Sequence, residues 1–336
     1  MGNKYNIIIG NPHAFYRTAG YKAPHDVNIT LKQLGFTEVR AGADTTIKIV
    51  SLFVILFRLI RIGVRLRKDD IFVIQYPSFP LLFVVMPFFL HCDKRVLLIH
   101  DFHSLRLKGR MGVLERLNVS FFNKLIVHTQ NMKEYLLKFY PKKSYYVLGC
   151  FGYILERPYD YGMRSLTNEI CFAGNLDKSS FIKSLIHENG IGCKYHLYGK
   201  NTNVINSVSG NIIYEGMFHP DKVGILKGSW GLVWDGDDLS SCNGYLGEYL
   251  KLNAPHKFSL YIAVGLPVIV WSGSAMADVV RNKKIGIVVD SLYELRNKIE
   301  TVSGKEYTDF VENVFILSRR LQEYTMLKAL FPKMCV

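Results

Sequence analysis

Short, continuously apolar runs alternate with helix-patterned segments along the whole chain, and this alternation restricts the possible folds more than any other feature. The runs read as strands over Tyr5–Ile9, Ile71–Gln75, Arg95–Ile99, Lys124–His128 and Tyr145–Leu148 in the first half. In the second half they cover Ile170–Ala173, Lys194–Tyr198, Asn211–Tyr214, Gly231–Asp235, Pro267–Trp271 and Gly286–Val289. Helical segments such as Ala23–Leu34, Gly112–Phe121, Met132–Phe139, Phe181–Asn189, Ala275–Asn282 and Leu292–Ile299 lie between them. A strand that is apolar at successive positions has both faces covered, as in a parallel sheet between two helical layers. Repetition of this βαβ pattern predicts an α/β, doubly wound fold.

The 336 residues suffice for two domains, each with its own core. Alternation lapses between Gly152 and Asn168, which places one Rossmann-like domain over residues 1–155 and a second over 165–305. A last helix, over 306–330, lies beyond the second sheet and is expected to pack back toward the first domain. A hydrophobic content of 49% excludes a disordered or fibrous chain. A formal charge of +14 calls for a polyanionic neighbour. No zinc-finger spacing, RNP-type aromatic box or compact Lys/Arg run is present, so nucleic acid is not expected as a partner. Phosphorylated substrates and an anionic membrane surface account for the charge better.

The six cysteines are scattered, several in apolar stretches, which reads as buried thiols in a reducing cytosol. Met1 to Gly10 runs directly into a strand, so no signal peptide is expected. Ile47–Leu66 is apolar but carries Arg58, Arg61 and Arg65 at helical spacing. It reads either as a core helix with solvated arginines or as an interfacial helix with a basic stripe toward lipid headgroups, and not as a membrane span. The expected location is the cytoplasm, with weak peripheral association at the inner face of the plasma membrane.

Open parallel sheets bind ligands at the carboxyl ends of their strands, so the chemistry is sought there. After the first strand, Thr18, Ala19 and Gly20 allow close backbone approach, and Arg17 and Lys22 could neutralise phosphate; the loop lacks the G-x-G-x-x-G dinucleotide fingerprint. His100-Asp101-Phe102-His103 with Arg106 follows another strand. Asp101 reads as a general base, as a cap of the next helix or as a metal ligand, with His100 and His103 as alternative bases. Gly174 and Lys178 follow Ile170–Ala173, and Tyr198-Gly199-Lys200 repeats that arrangement. Asp235, Asp237 and Asp238 could hold a metal, bind sugar hydroxyls or form a solvated loop.

The densest segment is Asn253 to Val270. Pro255 suits the first helical position with Asn253 or Ala254 as cap, Gly265 supplies a left-handed stop, and Pro267 prevents continuation. Lys257 is out of place, because a helix N-terminus disfavours a cation. It is explained either by an anion bound there, such as a phosphate, or by solvation.

Taken together, Ala19 to Ala23, Gln75-Tyr76-Pro77, His100-Asp101 with Leu105-Arg106, Val127-His128-Thr129 with Met132, Phe172 to Leu176, Trp234-Asp235-Gly236, Gly247-Glu248-Tyr249 and Asn253 to Val270 carry a resemblance. Over nearly its whole length the chain resembles bacterial GT-B glycosyltransferases of the galactofuranosyltransferase type, close to accessory glucosyltransferases of adhesin O-glycosylation. The resemblance implies two Rossmann-like domains facing a cleft, the first binding acceptor and the second a UDP-sugar. It implies a donor site lined by Lys178, Tyr198, Asn253, Ala254, Pro255, His256 and Lys257, with Thr18 contributed by the first domain. No metal or other cofactor is implied, since a helix N-terminus and lysine stabilise the leaving diphosphate. The expected reaction moves a hexosyl group, galactofuranose before glucose, from the UDP-sugar to a hydroxyl of a lipid-linked glycan acceptor, with inversion, in surface polysaccharide synthesis. Rivals are an inactive sugar-nucleotide-binding scaffold and a UDP-sugar epimerase or dehydrogenase. Gly152 departs from the family pattern, where an acid is expected. The sequence leaves the oligomeric state undetermined.

Overall fold

The computed structural model describes residues 2–9, 19–43, 45, 47–156, 164–201 and 210–335. The chain forms two compact units, Met1–Gly149 with Met326–Val336, and Cys150–Thr325. The first is built on strands β1 (Lys4–Ile8), β2 (Thr37–Arg40), β3 (Ile71–Tyr76), β4 (Lys94–Ile99), β5 (Lys124–Val127) and β6 (Ser144–Val147). The second carries β7 (Glu169–Ala173), β8 (Lys194–Tyr198), β9 (Ile212–Gly216), β10 (Trp230–Val233), β11 (Val268–Trp271) and β12 (Gly286–Val289).

Both sheets are parallel throughout. The first has the order β2-β1-β3-β4-β5-β6 and the second β12-β11-β10-β7-β8-β9. The strand order reverses between β1 and β3 in the first unit and between β7 and β10 in the second. These are the topological switch points at which doubly wound sheets bind ligands. The central strands are apolar at consecutive positions because helices cover both sheet faces: Phe72, Val73 and Ile74 of β3, and Trp230 and Leu232 of β10, are fully buried.

Each strand read from the sequence is present within a residue or two. The strand β2 was not among them. It lies at a sheet edge with mostly exposed side chains, so Thr37-Glu38-Val39-Arg40 lacks the continuous apolar signal. The expected single C-terminal helix is two helices. Gly304–Gln322 buries Tyr307, Phe310, Val314 and Leu317 within the second unit. Tyr324 then adopts a left-handed conformation (φ 52°), and Thr325–Cys335 follows. This second helix packs within the first unit, where Phe331 meets Phe36 edge-on at 5.0 Å. A left-handed tyrosine has no local sequence signature, unlike a glycine stop.

Candidate active site

The helix His256–Ala263 is fastened across the switch point of the second unit. The Tyr261 hydroxyl accepts the backbone N–H of Ala173, at the end of β7, at 2.8 Å. The Tyr261 ring lies over Gly231 of β10, where a Cβ would stand 2.3 Å from the ring. Only glycine permits this helix to approach the strand so closely. At the other end, Ser259 Oγ donates to the carbonyl of Phe151 at 2.7 Å, and Tyr153 stacks on His256 at 5.1 Å. The Tyr153 hydroxyl is itself anchored on the carbonyl of Pro220 at 2.6 Å.

Pro255 is the N-cap of this helix (φ −63°, ψ 141°), not its first helical residue, and it supplies no side-chain acceptor for the first-turn N–H groups. Gly265 has φ 75°, the left-handed stop read from the sequence. Ala254 is buried and contributes backbone only. Asn253 Oδ1 is buried with no donor among the described residues.

Lys257 is not a solvated lysine. Its ammonium donates to the carbonyl of Trp234 at 2.8 Å and to Asp235 Oδ1 at 2.5 Å, and it lies over the Phe172 ring at 4.8 Å. Its side chain is 13% exposed. The cation therefore sits between the ends of β7 and β10 and is held there by a carboxylate. A protein carboxylate is the anion found beside this helix start.

Lys178, in the turn that follows β7, is exposed, and among the described residues no carboxylate pairs with it. Tyr198 is placed differently from expectation. It is buried, its hydroxyl donates to the carbonyl of Ile225 at 2.9 Å and accepts the N–H of Lys227 at 3.0 Å, so it braces a loop and presents no free hydroxyl. Asp238 caps its own loop, accepting from Ser240, Ser241 and Asn243, and these bonds hold its carboxyl below the usual range. Asp237 accepts from Ser180 Oγ at 3.1 Å. These aspartates thus act in loop structure. Gly152 has no room for an acid: a Cβ there would stand 2.4 Å from the buried Tyr324 ring.

In the first unit, β3 and β4 run in register to Tyr76 and Ile99, so Pro77 and His100 leave the sheet side by side at its carboxyl edge. His100 Nε2 donates to Gln75 Oε1 at 2.6 Å, and Gln75 Nε2 donates to Asn28 Oδ1 at 2.6 Å. Asn6 Nδ2 donates to the same oxygen at 2.8 Å. This polar chain, spanning β1, β3 and the end of β4, sets the ring orientation of His100 and makes Nδ1 its acceptor nitrogen. Of these residues, Gln75 lies in the Gln75-Tyr76-Pro77 motif, whereas Asn28 and Asn6 carry no local sequence signal for the role.

Asp101 Oδ2 pairs with Arg106 at 2.9 Å, while Oδ1 is buried with no donor among the described residues. Asp101 does not cap the next helix. Phe102 is the N-cap of His103–Lys108, and the buried Glu115 accepts the N–H groups of Ser104 at 2.7 Å and Gly112 at 3.1 Å. His103 is exposed in the first turn of that helix. No three His, Cys, Asp or Glu side chains gather as metal ligands among the described residues. Lys22, read as able to neutralise phosphate, is instead buried against Asp26 at 2.8 Å. Arg17 and Thr18 lie outside the described residues. The Val127-His128-Thr129 motif is structural. His128 donates to the carbonyl of Ile99 at 2.8 Å, and Thr129 caps the helix Gln130–Leu137 by accepting the Met132 N–H at 3.1 Å.

Two doubly wound parallel units of this topology are the architecture of the GT-B glycosyltransferase fold. The solved structure of sucrose-phosphate synthase from Thermosynechococcus elongatus shares this fold, with a TM-score of 0.62 over 98% of this chain and 99% of that one at 12% identity. An alpha-glucosyltransferase in complex with UDP and DNA gives a TM-score of 0.60 over 99% and 100% of the two chains, also at 12% identity. The chain belongs to the Glucosyltransferase 3-like family: the family's N-terminal domain matches residues 5–149 and its C-terminal domain residues 170–334. It is 30% identical to the beta-1,6-galactofuranosyltransferase WbbI of Escherichia coli (strain K12) over 267 residues, 76% of each chain.

Proposed function

We propose that this glycosyltransferase moves a hexosyl group from a UDP-sugar to a hydroxyl of a glycan acceptor carried on lipid, with inversion and without a metal ion, in bacterial surface polysaccharide synthesis at the inner face of the plasma membrane. The observation that carries the reading is the second unit's switch point. There the start of His256–Ala263, whose N-cap Pro255 makes no side-chain cap, and the Lys257 ammonium meet the ends of β7 and β10.

The donor's diphosphate lies against the start of that helix, where the Phe258 N–H already donates to the Pro255 carbonyl at 2.9 Å, with Lys257 and the exposed Lys178 supplying positive charge. Asp235 fixes the Lys257 ammonium in place before the donor arrives. Asn253 Oδ1, which has no donor among the described residues, suits a sugar or ribose hydroxyl. Ala254, Pro255 and His256 shape the wall by backbone and ring. Tyr198 is left out of the set, because its hydroxyl is occupied.

The first unit binds the acceptor and supplies the base. Asp101 Oδ1 takes the proton of the attacking hydroxyl while Arg106 holds the other oxygen. The acceptor oxygen bonds to the anomeric carbon, the bond from that carbon to the diphosphate oxygen breaks, and its electron pair leaves with UDP. His100, oriented by Gln75, and the exposed His103 are the alternative bases.

Galactofuranose is favoured as the sugar because the relative at 30% identity is named for its transfer. Glucose is next, from the family's description. A UDP donor is supported by the UDP held in the alpha-glucosyltransferase of like fold. The test is release of UDP from a panel of UDP-sugars by the purified protein, with and without EDTA. Release from one hexose donor, unchanged by EDTA, is expected. Release from none, with UDP still bound, would point to a sugar-nucleotide-binding scaffold.

A further inference from the structure

We propose that the helix Lys48–Arg65 docks the first unit onto an anionic lipid surface. One face of this helix belongs to the fold: Leu59 and Gly63 are buried, and a Cβ on Gly63 would stand 2.8 Å from the Phe89 ring and 3.1 Å from Phe88 Cβ. Beside it runs a second face that is apolar and open. Ile49 (64% exposed), Phe53 (65%), Phe57 (66%) and Val64 (64%) recur at spacings of four, four and seven residues, which aligns them in one stripe. Phe88, which abuts Gly63, is also exposed and extends the apolar surface beyond the helix. A contiguous apolar stripe of this kind on a soluble face marks an interaction surface; scattered exposed hydrophobics would not.

Charge identifies the partner. Residues 48–68 contain no Asp or Glu. Lys48, Arg61, Arg65, Arg67 and Lys68 are exposed, and none has a carboxylate partner among the described residues. Arg61 lies one turn beyond Phe57, and Arg65 follows Val64 directly. Arg58, read from the sequence as part of the same basic stripe, instead donates to the carbonyl of Gly42. An apolar face bordered by cations is the composition of a helix lying in the headgroup region, its aromatic side chains among the acyl chains and its cations at the phosphates. A second copy of the chain is a poorer fit. A two-fold pairing of this helix would set like charges against each other with no carboxylate on it to neutralise them. The helix does not span a bilayer: among the described residues no helix is long and apolar enough to cross a membrane.

The proposal does not depend on which sugar is transferred. It is tested by sedimenting the full-length protein with phosphatidylglycerol-rich vesicles and with phosphatidylcholine vesicles. The protein is expected to pellet with the anionic vesicles and to lose that binding about tenfold in about 0.5 M salt or on neutral vesicles. Phe53→Ser with Phe57→Ser, and separately Arg61→Glu with Arg65→Glu, are each expected to cut binding about tenfold while leaving thermal unfolding unchanged. Absence of binding to anionic vesicles, or binding that neither pair of substitutions weakens, overturns the proposal. So does a dimer seen by light scattering that Phe53→Ser with Phe57→Ser dissolves, because the stripe is then covered by a second copy.

Discussion

The Lys257 ammonium lies 2.5 Å from Asp235 Oδ1, and this pair joins the start of the helix His256–Ala263 to the end of β10. A lysine at a helix N-terminus is unfavourable by itself, and Asp235 offsets that penalty. In the proposed reaction the pair also holds the cation where the diphosphate enters. Lys257→Ala is expected to weaken UDP binding about tenfold or more, a loss of roughly 1.4 kcal/mol or greater. Asp235→Asn should leave the ammonium in place through the Trp234 carbonyl and weaken UDP binding less. Titration calorimetry with UDP checks both. Unchanged affinity in Lys257→Ala would make the pair a purely structural tie.

In the proposed reaction Asp101 takes the proton, a role separable from donor binding. Asp101→Asn keeps the shape and an acceptor oxygen toward Arg106 but removes the base. Turnover should fall by about 10²–10⁴-fold, with UDP affinity nearly unchanged. Steady-state rates alongside UDP calorimetry decide this. Retained turnover would move the base to His100 or His103.

Burial pushes the His128 imidazole down from 6.5 to about 4, against the raising influence of its bond to Ile99 and of nearby Asp101. The unfolded chain takes up a proton at this residue below about 6.5, whereas the native state resists it down to about 4. Its contribution to stability is therefore intact near neutral pH and is lost as pH falls through that window. The loss is roughly 3 kcal/mol. Urea unfolding across this pH range should show the decline, and His128→Gln should flatten it.

Gly152 stands where related enzymes are expected to have an acid, and the Tyr324 ring occupies the space a side chain would need. Gly152→Asp is expected to destabilise the second unit by about 2 kcal/mol or more through overpacking and to confer no gain in activity. Thermal unfolding measures the first effect and a transfer assay the second.

The parts of the molecule that were legible in the sequence are those set by local pattern. Continuous apolar runs marked the central strands, and the helix, stop and strand from His256 to Trp271 followed from Pro255, Gly265 and Pro267. The edge strand β2 was not legible, because half-exposed strands lack that pattern. Side-chain partners made through tertiary contact were also hidden. Asp235 lies 22 residues before Lys257 and reaches it only because β10 and β11 are neighbours in the sheet. The Tyr198 hydroxyl looked available for a ligand until the loop at 225–227 folded over it. Glu115 caps a helix eleven residues upstream, at Ser104, a role that no adjacent capping motif announces.

Hexosyl transfer from a UDP-sugar is the central claim, and the most direct measurement is a donor screen. The purified protein is incubated with UDP-glucose, UDP-galactopyranose, UDP-galactofuranose and UDP-N-acetylglucosamine, and released UDP is quantified. The expected result is UDP release from UDP-galactofuranose above the others, with UDP-glucose second, and loss of that release in Lys257→Ala. Equal, background-level release from all four donors by a folded protein, with or without a glycan acceptor, would contradict the account.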